Sequence, residues 1–434
     1  MNTRISIPAA SGSHPVIGHS IELGRDPLGL MRRGHREHGR VFRLNLPMRD
    51  AVVLLGTEHN KLAFAETDRK LSIRTAYPFF LRMFSPDFYF FADRAEYRRQ
   101  RDVVLPRFQG RQLDGYVKVM EDASRDFIAE LGDSGEFELT EGFGPLVMRV
   151  AAHSFLGERF ADSSTDWFEE FRRFSEGADF ITPGWLPAPH LLRSRSAGRR
   201  IRARIQAIID SRRAAPGDGG DFLDAFVRAT YEDGTPVPDE VLVHLIIMLV
   251  WAGHETTTGH LAWGLIDLLR NPDELDRARA EAEAMPEAMG AADVRRLAHL
   301  DRCLHESERL HPVAFMLARS TTEPMTIDGH YVPADTIVML SPSATHRLEE
   351  EFPEPDRFVP DRFEDDPSQL RRLIGFGGGL HRCLGMRFAY LEMTVILAHL
   401  LRAFDFKLAD PDPQPIRTTG AKWPAPTTVK YWRR

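Results

Sequence analysis

The chain predicts a mainly α fold with a small β-sheet region, and three observations carry that expectation. Nearly everything between about residues 95 and 310 is patterned as helix, punctuated by "ITPGWLPAP" (181–189) and "AAPGDGGD" (214–221). Two stretches, about 40–60 and 320–345, are rich in β-prone residues. The longest apolar run, "VLVHLIIMLVWA" (241–252), is interrupted only by His244; it has the length of a buried core helix rather than the roughly twenty residues that a membrane span needs.

Each element follows from its own residues. "VFRLNL" and "AVVLL" (41–55) cluster and alternate apolar side chains like the two arms of a hairpin. The helical body follows over about 95–310, with a long helix starting near Pro238. "MTIDGHYVPADTIVML" (325–340) sets an Asp-Gly turn between β-prone runs. Residues 374–403 read as a glycine-rich loop leading into an apolar helix. There is no internal repeat, and no Pro/Gly stretch separates two composition regimes, so residues 1–434 are expected to form a single domain.

Composition narrows the function. With 56 basic and 63 acidic residues the net charge is -7, which argues against a nucleic-acid binder. Cys303 and Cys383, the only two cysteines, cannot make a disulfide framework, a CxxC-type zinc site or an iron–sulfur cluster. A reducing compartment fits. The N-terminal "MNTRISIPAASGSHPVIGHS" has no apolar core of a signal peptide, so a soluble, cytoplasmic protein without a membrane span is the expectation.

The chemistry starts at "GFGGGLHRCLG" (375–385). Four glycines in five positions let a backbone pass close to a flat object. Cys383 comes just before a helix, whose first amides can stabilise a thiolate. That suits an anionic sulfur ligand. A phosphate cradle is the other use of such loops, but neither GxxxxGK[ST] nor a strand-borne GxGxxG is present.

Phe376, Gly379, His381, Cys383 and Gly385 together match F-x-x-G-x-H-x-C-x-G, and at these residues the chain resembles a cytochrome P-450. The resemblance implies the single-domain fold of that family, with haem b as cofactor and Cys383 as its metal ligand. "ESERLHP" (306–312) then supplies the family's Glu306 and Arg309, and "VPDRF" (359–363) supplies Arg362, for a buried ion network; without the resemblance, an i,i+3 solvated pair would explain the first two. "AGHETTTG" (252–259) places Ala252, Gly253, Glu255 and Thr256 where the family uses an acid and an alcohol to deliver protons to dioxygen. A threonine bonding back to the carbonyl four residues earlier is the plainer reading of Thr256. "YRRQRDVVLPRF" (97–108) resembles the segment whose Arg pairs with a haem propionate, here Arg101, with Tyr97 as a haem contact where the family more usually has Trp or His; Arg319 and His381 are the other implied propionate partners.

Within the family, "AYPF" (76–79), "GHETT", "HPVAFMLAR" and the cysteine loop fall in the order and spacing of the sterol 14α-demethylase branch, which adds Tyr77 as a haem contact. Two residues depart from it. Glu255 stands where those enzymes commonly carry His, and Leu380 where Arg is common. Both argue against sterol demethylation itself and leave haem chemistry untouched.

The implied function is a haem-thiolate monooxygenase that inserts one atom of O2 into a hydrophobic small molecule, a terpenoid, steroid or related secondary metabolite. Candidate walls are 75–91, 180–189, 245–253 and 313–317, rich in Phe, Tyr, Met and Leu, residues that an ordinary core would also use. No flavin or iron–sulfur domain is fused, so electrons are expected from a separate ferredoxin and its reductase, docking near Arg98, Arg99, Arg371, Arg372, Arg382 and Arg387. A monomer is expected. A peroxide-using or redox-neutral haem-thiolate enzyme, and a haem-binding sensor or carrier without turnover, are the alternatives; the Glu255–Thr256 pair argues against the first of these.

Overall fold

A computed structural model describes residues 6–47, 49–77, 80–84, 88–157, 164–179, 182, 186–215, 222–417 and 422–434. Pro78 and Phe79 of "AYPF", residues 85–87, and 180, 181 and 183–185 of the proposed walls lie outside them. The chain divides into two compact units, each assembled from three stretches: Met1–Pro78, Glu308–Arg357 and Arg362–Cys383 form the first, and Phe79–Ser307, Phe358–Asp361 and Leu384–Arg434 the second.

The strands in chain order are β1 (Val41–Leu44), β2 (Ala51–Leu54), β3 (Leu71–Ser72), β4 (Ser134–Glu138), β5 (Leu317–Thr321), β6 (Met325–Ile327), β7 (His330–Val332), β8 (Ile337–Leu340), β9 (Phe404–Leu408), β10 (Pro415–Arg417), β11 (Lys422–Pro424) and β12 (Thr428–Arg433). In the first unit, β1, β2, β8, β5 and β3 make one five-stranded sheet in that order, with β2 and β8 parallel and the other pairs antiparallel. Alternation along β2 explains its unbroken apolar sequence. Val52 and Leu54 face one core with Val338 and Leu340, while Ala51 and Val53 face another with Phe42 and Met339, so both faces are buried and neither needs polar residues. β6 and β7 pair antiparallel around Asp328 and Gly329, with φ of 49° and 77°, the left-handed pair that a two-residue hairpin turn requires.

The second unit is helical. Its main helices are α1 (Arg94–Val104), α2 (Leu139–Leu156), α3 (Ser164–Ser175), α4 (Pro189–Ala214), α5 (Asp239–Arg270) and α7 (Met386–Ala403); α6 (Ala298–Leu310) carries its last residues into the first unit. α5 has 32 residues, about 48 Å of helix, and packs against α2. Asp239–Arg270 and the stretch Gly379–Ala403 are long and apolar enough to cross a membrane, and 72% of the apolar window of each is buried in the protein.

Two parts of this unit depart from the sequence reading. β4 interrupts the stretch read as helix, and β9 to β12 lie outside both segments read as sheet. β4 and β9 flank β12 in a three-stranded sheet, and β10 pairs with β11. β4 reads "SGEFE" and is mostly exposed, so it has no buried alternation for a periodicity argument to find. Its strand conformation comes from pairing with residues almost 300 positions away.

Candidate active site

In the first unit, the loop before Cys383 is closed by its own backbone. The Gly377 N–H donates to the Ile374 carbonyl at 2.9 Å, and the Cys383 N–H to the Phe376 carbonyl at 2.9 Å. Gly379 has φ 62°, and a Cβ there would lie 3.1 Å from both Cβ and the carbonyl oxygen of Phe64; at Gly378 a Cβ would stand 2.4 Å from the Phe64 ring. Both glycines lie close against Phe64. The loop leaves Cys383 exposed, whereas Cys303 is buried in α6 and burial raises its thiol well above its ordinary pKa. Cys383 is the cysteine a ligand can reach, and Gly385 begins the helix that follows it.

A buried polar frame supports the loop. The Ile374 N–H donates to His346 Nε2 at 2.9 Å, which requires that nitrogen to be unprotonated. Burial depresses His346 to a pKa of about 3, so the ring is neutral. Arg309, fully buried, donates to the carbonyls of His346, Pro355 and Arg357 at 2.9, 2.6 and 2.8 Å. Arg362 donates to the Pro353 carbonyl at 2.7 Å. In the second unit Glu306, also fully buried, accepts the Val359 N–H at 2.8 Å. The solvated-pair explanation of Glu306 and Arg309 fails, because both side chains are inside and serve as caps for loop backbone.

Three further candidates meet polar partners in the first unit. His381 Nε2 is 2.6 Å from Asp68 Oδ2. Arg319 is buried, with Nε donating to Thr67 Oγ1 at 3.0 Å and Nη1 to the Ala318 carbonyl at 2.8 Å. The Tyr77 hydroxyl accepts the Ala318 N–H at 2.7 Å, and burial raises its pKa while the nearby Arg319 opposes the rise.

In the second unit, α5 is buried on all sides from Leu242 to Leu268 except along Met248, Trp251, Ala252, Gly253 and Thr256. Met248, Ala252 and Thr256 lie four apart, one above another on a single face. A Cβ on Gly253 would meet no atom within 4 Å, and Thr256 is exposed at mid-helix. The stripe is an open wall inside an otherwise packed element. Thr256 Oγ1 donates to the Ala252 carbonyl at 2.6 Å, so the back-bond of the plainer reading exists and the hydroxyl oxygen is still presented to the open face.

Glu255 points the other way, into the protein. It is only 6% exposed; Ser175 Oγ at the end of α3 lies 2.9 Å from its Oε2, and the Glu255 carbonyl accepts the Trp423 indole N–H at 3.1 Å. Trp251 Nε1 donates to Ser175 Oγ at 2.7 Å. In α1, Arg101 has a buried Nε without a hydrogen-bond partner, and the buried Tyr97 stacks on Tyr89 with ring centroids 5.2 Å apart. Of the aromatic wall, Phe84, Phe88, Tyr89 and Phe91 are buried against one another and Phe80 packs on Trp251, which is ordinary core packing. Ser175 and Trp423 at Glu255, and Asp68 and Phe64 at the cysteine loop, are absent from any local motif; only the fold of each unit brings them to their partners. Among the expected docking cations, Arg98, Arg371, Arg382 and Arg387 are exposed, while Arg99 is held by Asp233 and the Tyr231 ring and Arg372 by the Glu351 carbonyl.

These residues suit a haem. In the first unit, an exposed cysteine on a loop closed by its own backbone suits an axial sulfur ligand; in the second, the open stripe of α5 suits a flat apolar face, and the buried Nε of Arg101, which has no hydrogen-bond partner, suits a carboxylate. The comparisons agree. The cytochrome P450 family model matches residues 8–430. Sterol 14alpha-demethylase of Mycobacterium tuberculosis (strain H37Rv) is 31% identical over 99% of both chains, and lanosterol 14-alpha demethylase of Rattus norvegicus is 27% identical over 99% of this chain and 90% of its own. The structure of a cyanobacterial CYP120A1 with retinoic acid bound superposes with a TM-score of 0.88 at 24% identity, covering 99% of this chain and all of that one.

Proposed function

The chain belongs to the cytochrome P450 family and is a haem monooxygenase using O2 on a hydrophobic substrate; from that premise we propose that the substrate is a terpenoid or steroid and that the electrons come from a separate ferredoxin and reductase. The observation that carries the reading is Thr256 on the open stripe of α5, the one place in that helix where a hydroxyl faces open space, with the buried Glu255 next to it in the chain. The whole-chain likeness to sterol and lanosterol demethylases favours a large, rigid, apolar ligand. Glu255 favours a different oxidation from theirs.

Cys383 would hold haem b through its thiolate, and the group, when bound, would supply reductive activation of O2. The remaining work belongs to the protein. Arg319 and His381, with Arg101, are assigned to the propionates, the guanidinium forks matching carboxylate geometry; Tyr77 and Tyr97 are assigned to its edge. Phe376, Gly379 and Gly385 shape the loop that holds Cys383. Ala252 and Gly253 keep the wall flat. Thr256 would hold a proton at Oγ1 on the open face, and Glu255 would replenish it. The apolar residues of α5 exclude bulk water, so that protons arrive by this route alone. Arg98, Arg371, Arg382 and Arg387 remain available to an acidic ferredoxin, and the enzyme is assigned to the cytoplasm as a monomer.

A spectral titration of the ferric protein tests the substrate class. Terpenoids and steroids, including a 14α-methyl sterol, should displace the resting ligand and shift the haem band, and the best of them should be oxidised with NADPH and a surrogate ferredoxin system. A protein that shifts with none of them and turns over with peroxide alone would overturn the reading.

A further inference from the structure

We propose that Ser175 is a positioning residue for Glu255, holding the proton-delivery acid from a different helix through a hydroxyl that can serve both of its protonation states. The inference rests on the proton-delivery reading of Glu255 given above and deepens it. Ser175 is the last residue of α3, is 4% exposed, and its Oγ lies at the centre of three partners: Trp251 Nε1 at 2.7 Å, Glu255 Oε2 at 2.9 Å and the Phe171 carbonyl at 3.0 Å.

The donor count decides what this geometry can do. The indole N–H only donates, and the Phe171 carbonyl only accepts. Ser175 has one proton. When Glu255 is ionised, that proton goes to its Oε2, and the hydroxyl oxygen accepts from Trp251. When Glu255 is protonated, the carboxyl can donate to Ser175 Oγ, and the serine proton turns to the Phe171 carbonyl, which is already within reach. No heavy atom has to move. A carboxyl that gains and loses a proton in each cycle is thereby held in one place throughout, and the serine never leaves a buried charge unsolvated. A serine with structural duty alone needs only the bond to Phe171, four residues back in its own helix.

The main chain is held at the same residue. The Trp423 N–H meets the Glu255 carbonyl, and its ring lies against Gly259, where a Cβ would come within 2.5 Å of it. Side chain and backbone of Glu255 are thus held from separate elements, α3 and β11, while Thr256 beside it faces the open stripe.

The experiment compares Ser175→Ala, Ser175→Thr, Glu255→Gln and the Ser175→Ala/Glu255→Gln double variant as holoproteins, with two readouts. The first is infrared: the carboxyl or carboxylate band lost in Glu255→Gln belongs to Glu255, and it should shift in Ser175→Ala and return in Ser175→Thr. The second is the ratio of product to hydrogen peroxide. In Ser175→Ala this ratio should fall by about tenfold, the worth of one hydrogen bond to a charged group. In the double variant it should fall no further than in Glu255→Gln, since a residue acting through another is not additive with it. If Glu255→Gln lowers the ratio but Ser175→Ala leaves band and ratio in place, or if the two losses add, the positioning role is wrong and the acid's role stands. If Glu255→Gln itself leaves the ratio unchanged, the acid's role falls and takes this inference with it. Should Ser175→Ala fail to load haem, Trp251→Phe removes the indole donor and keeps the ring; the Glu255 band should move in the same direction by less, and an unmoved band overturns the proposal.

Discussion

The loop before Cys383 and the Glu255–Thr256 turn of α5, the two places to which we assign the chemistry, are built in opposite ways. The loop is closed by bonds between residues within ten positions of one another, Gly377 to Ile374 and Cys383 to Phe376, with glycine where φ is positive. The turn is ordinary helix, specified by side chains 80 and 168 positions away, Ser175 and Trp423. A site made of backbone writes itself into a short motif. A site made of distant side chains leaves only an oddity in the sequence, here an acid and an alcohol in an apolar helix.

The sharpest way to break the comparison is at the cysteines, with the largest expected effect. Cys383→Ala should lose the thiolate-type absorption of the reduced carbon monoxide complex, and Cys303→Ala should keep it. The reverse pattern would move the ligand to α6 and dissolve the role of the loop.

The next effect is on the frame behind the loop. Arg309→Ala strips three buried carbonyls of a charged donor, a loss of roughly 3–5 kcal/mol, and should yield little folded holoprotein. Normal expression and haem loading would mean that the loop is self-sufficient. That result would sharpen the contrast rather than blunt it.

Acid probes the same frame more gently. His346 has a folded pKa of about 3 against about 6.5 unfolded, so below pH 6.5 the unfolded chain takes up a proton that the folded ring refuses. Its contribution is fully present above pH 6.5 and is lost as pH falls toward 3. By pH 5 the loss is about 2 kcal/mol, at roughly 1.4 kcal/mol per pH unit. His244, His254 and His399, depressed to about 4 by burial, add slopes of the same sign. Urea midpoints at pH 7, 6 and 5 should fall steadily, and less steeply in His346→Gln; equal slopes would show that His346 is not neutral in the fold.

Legibility follows the same division. "GFGGGLHRCLG" named the ligand, and the 12-residue apolar run named α5, because each is a local pattern with one physical use. The β1–β2 hairpin and the Asp328–Gly329 turn were legible for the same reason. β4 and β9 to β12 were not, since exposed, short strands acquire their conformation from pairing. The burial of Glu306, Arg309 and Arg362 was legible only through the resemblance, and the loop carbonyls of residues 346, 355 and 357 that Arg309 also serves were not legible at all, since they lie 37 to 48 positions away.

Thr256→Ala has the smallest effect on the protein and discriminates most finely between the two kinds of site. Its hydroxyl already donates to the Ala252 carbonyl, a bond that helices tolerate losing at little cost, and the side chain is exposed, so stability should change by no more than about 0.5 kcal/mol. If that back-bond were its whole duty, product formed per NADPH would be unchanged. The open stripe argues otherwise, because a buried helix gains nothing from a polar group facing unfilled space. With the hydroxyl gone, haem and substrate should still bind and NADPH should still be consumed, but protons would reach dioxygen by an uncontrolled route and reducing equivalents would leave as hydrogen peroxide. Positioned acid–base groups are worth about 10² to 10⁴ in rate, so even a fraction of that is measurable when peroxide and product are assayed in the same reaction. Unchanged coupling in a stable Thr256→Ala protein would reduce the turn to ordinary helix and leave the cysteine loop as the whole of the site.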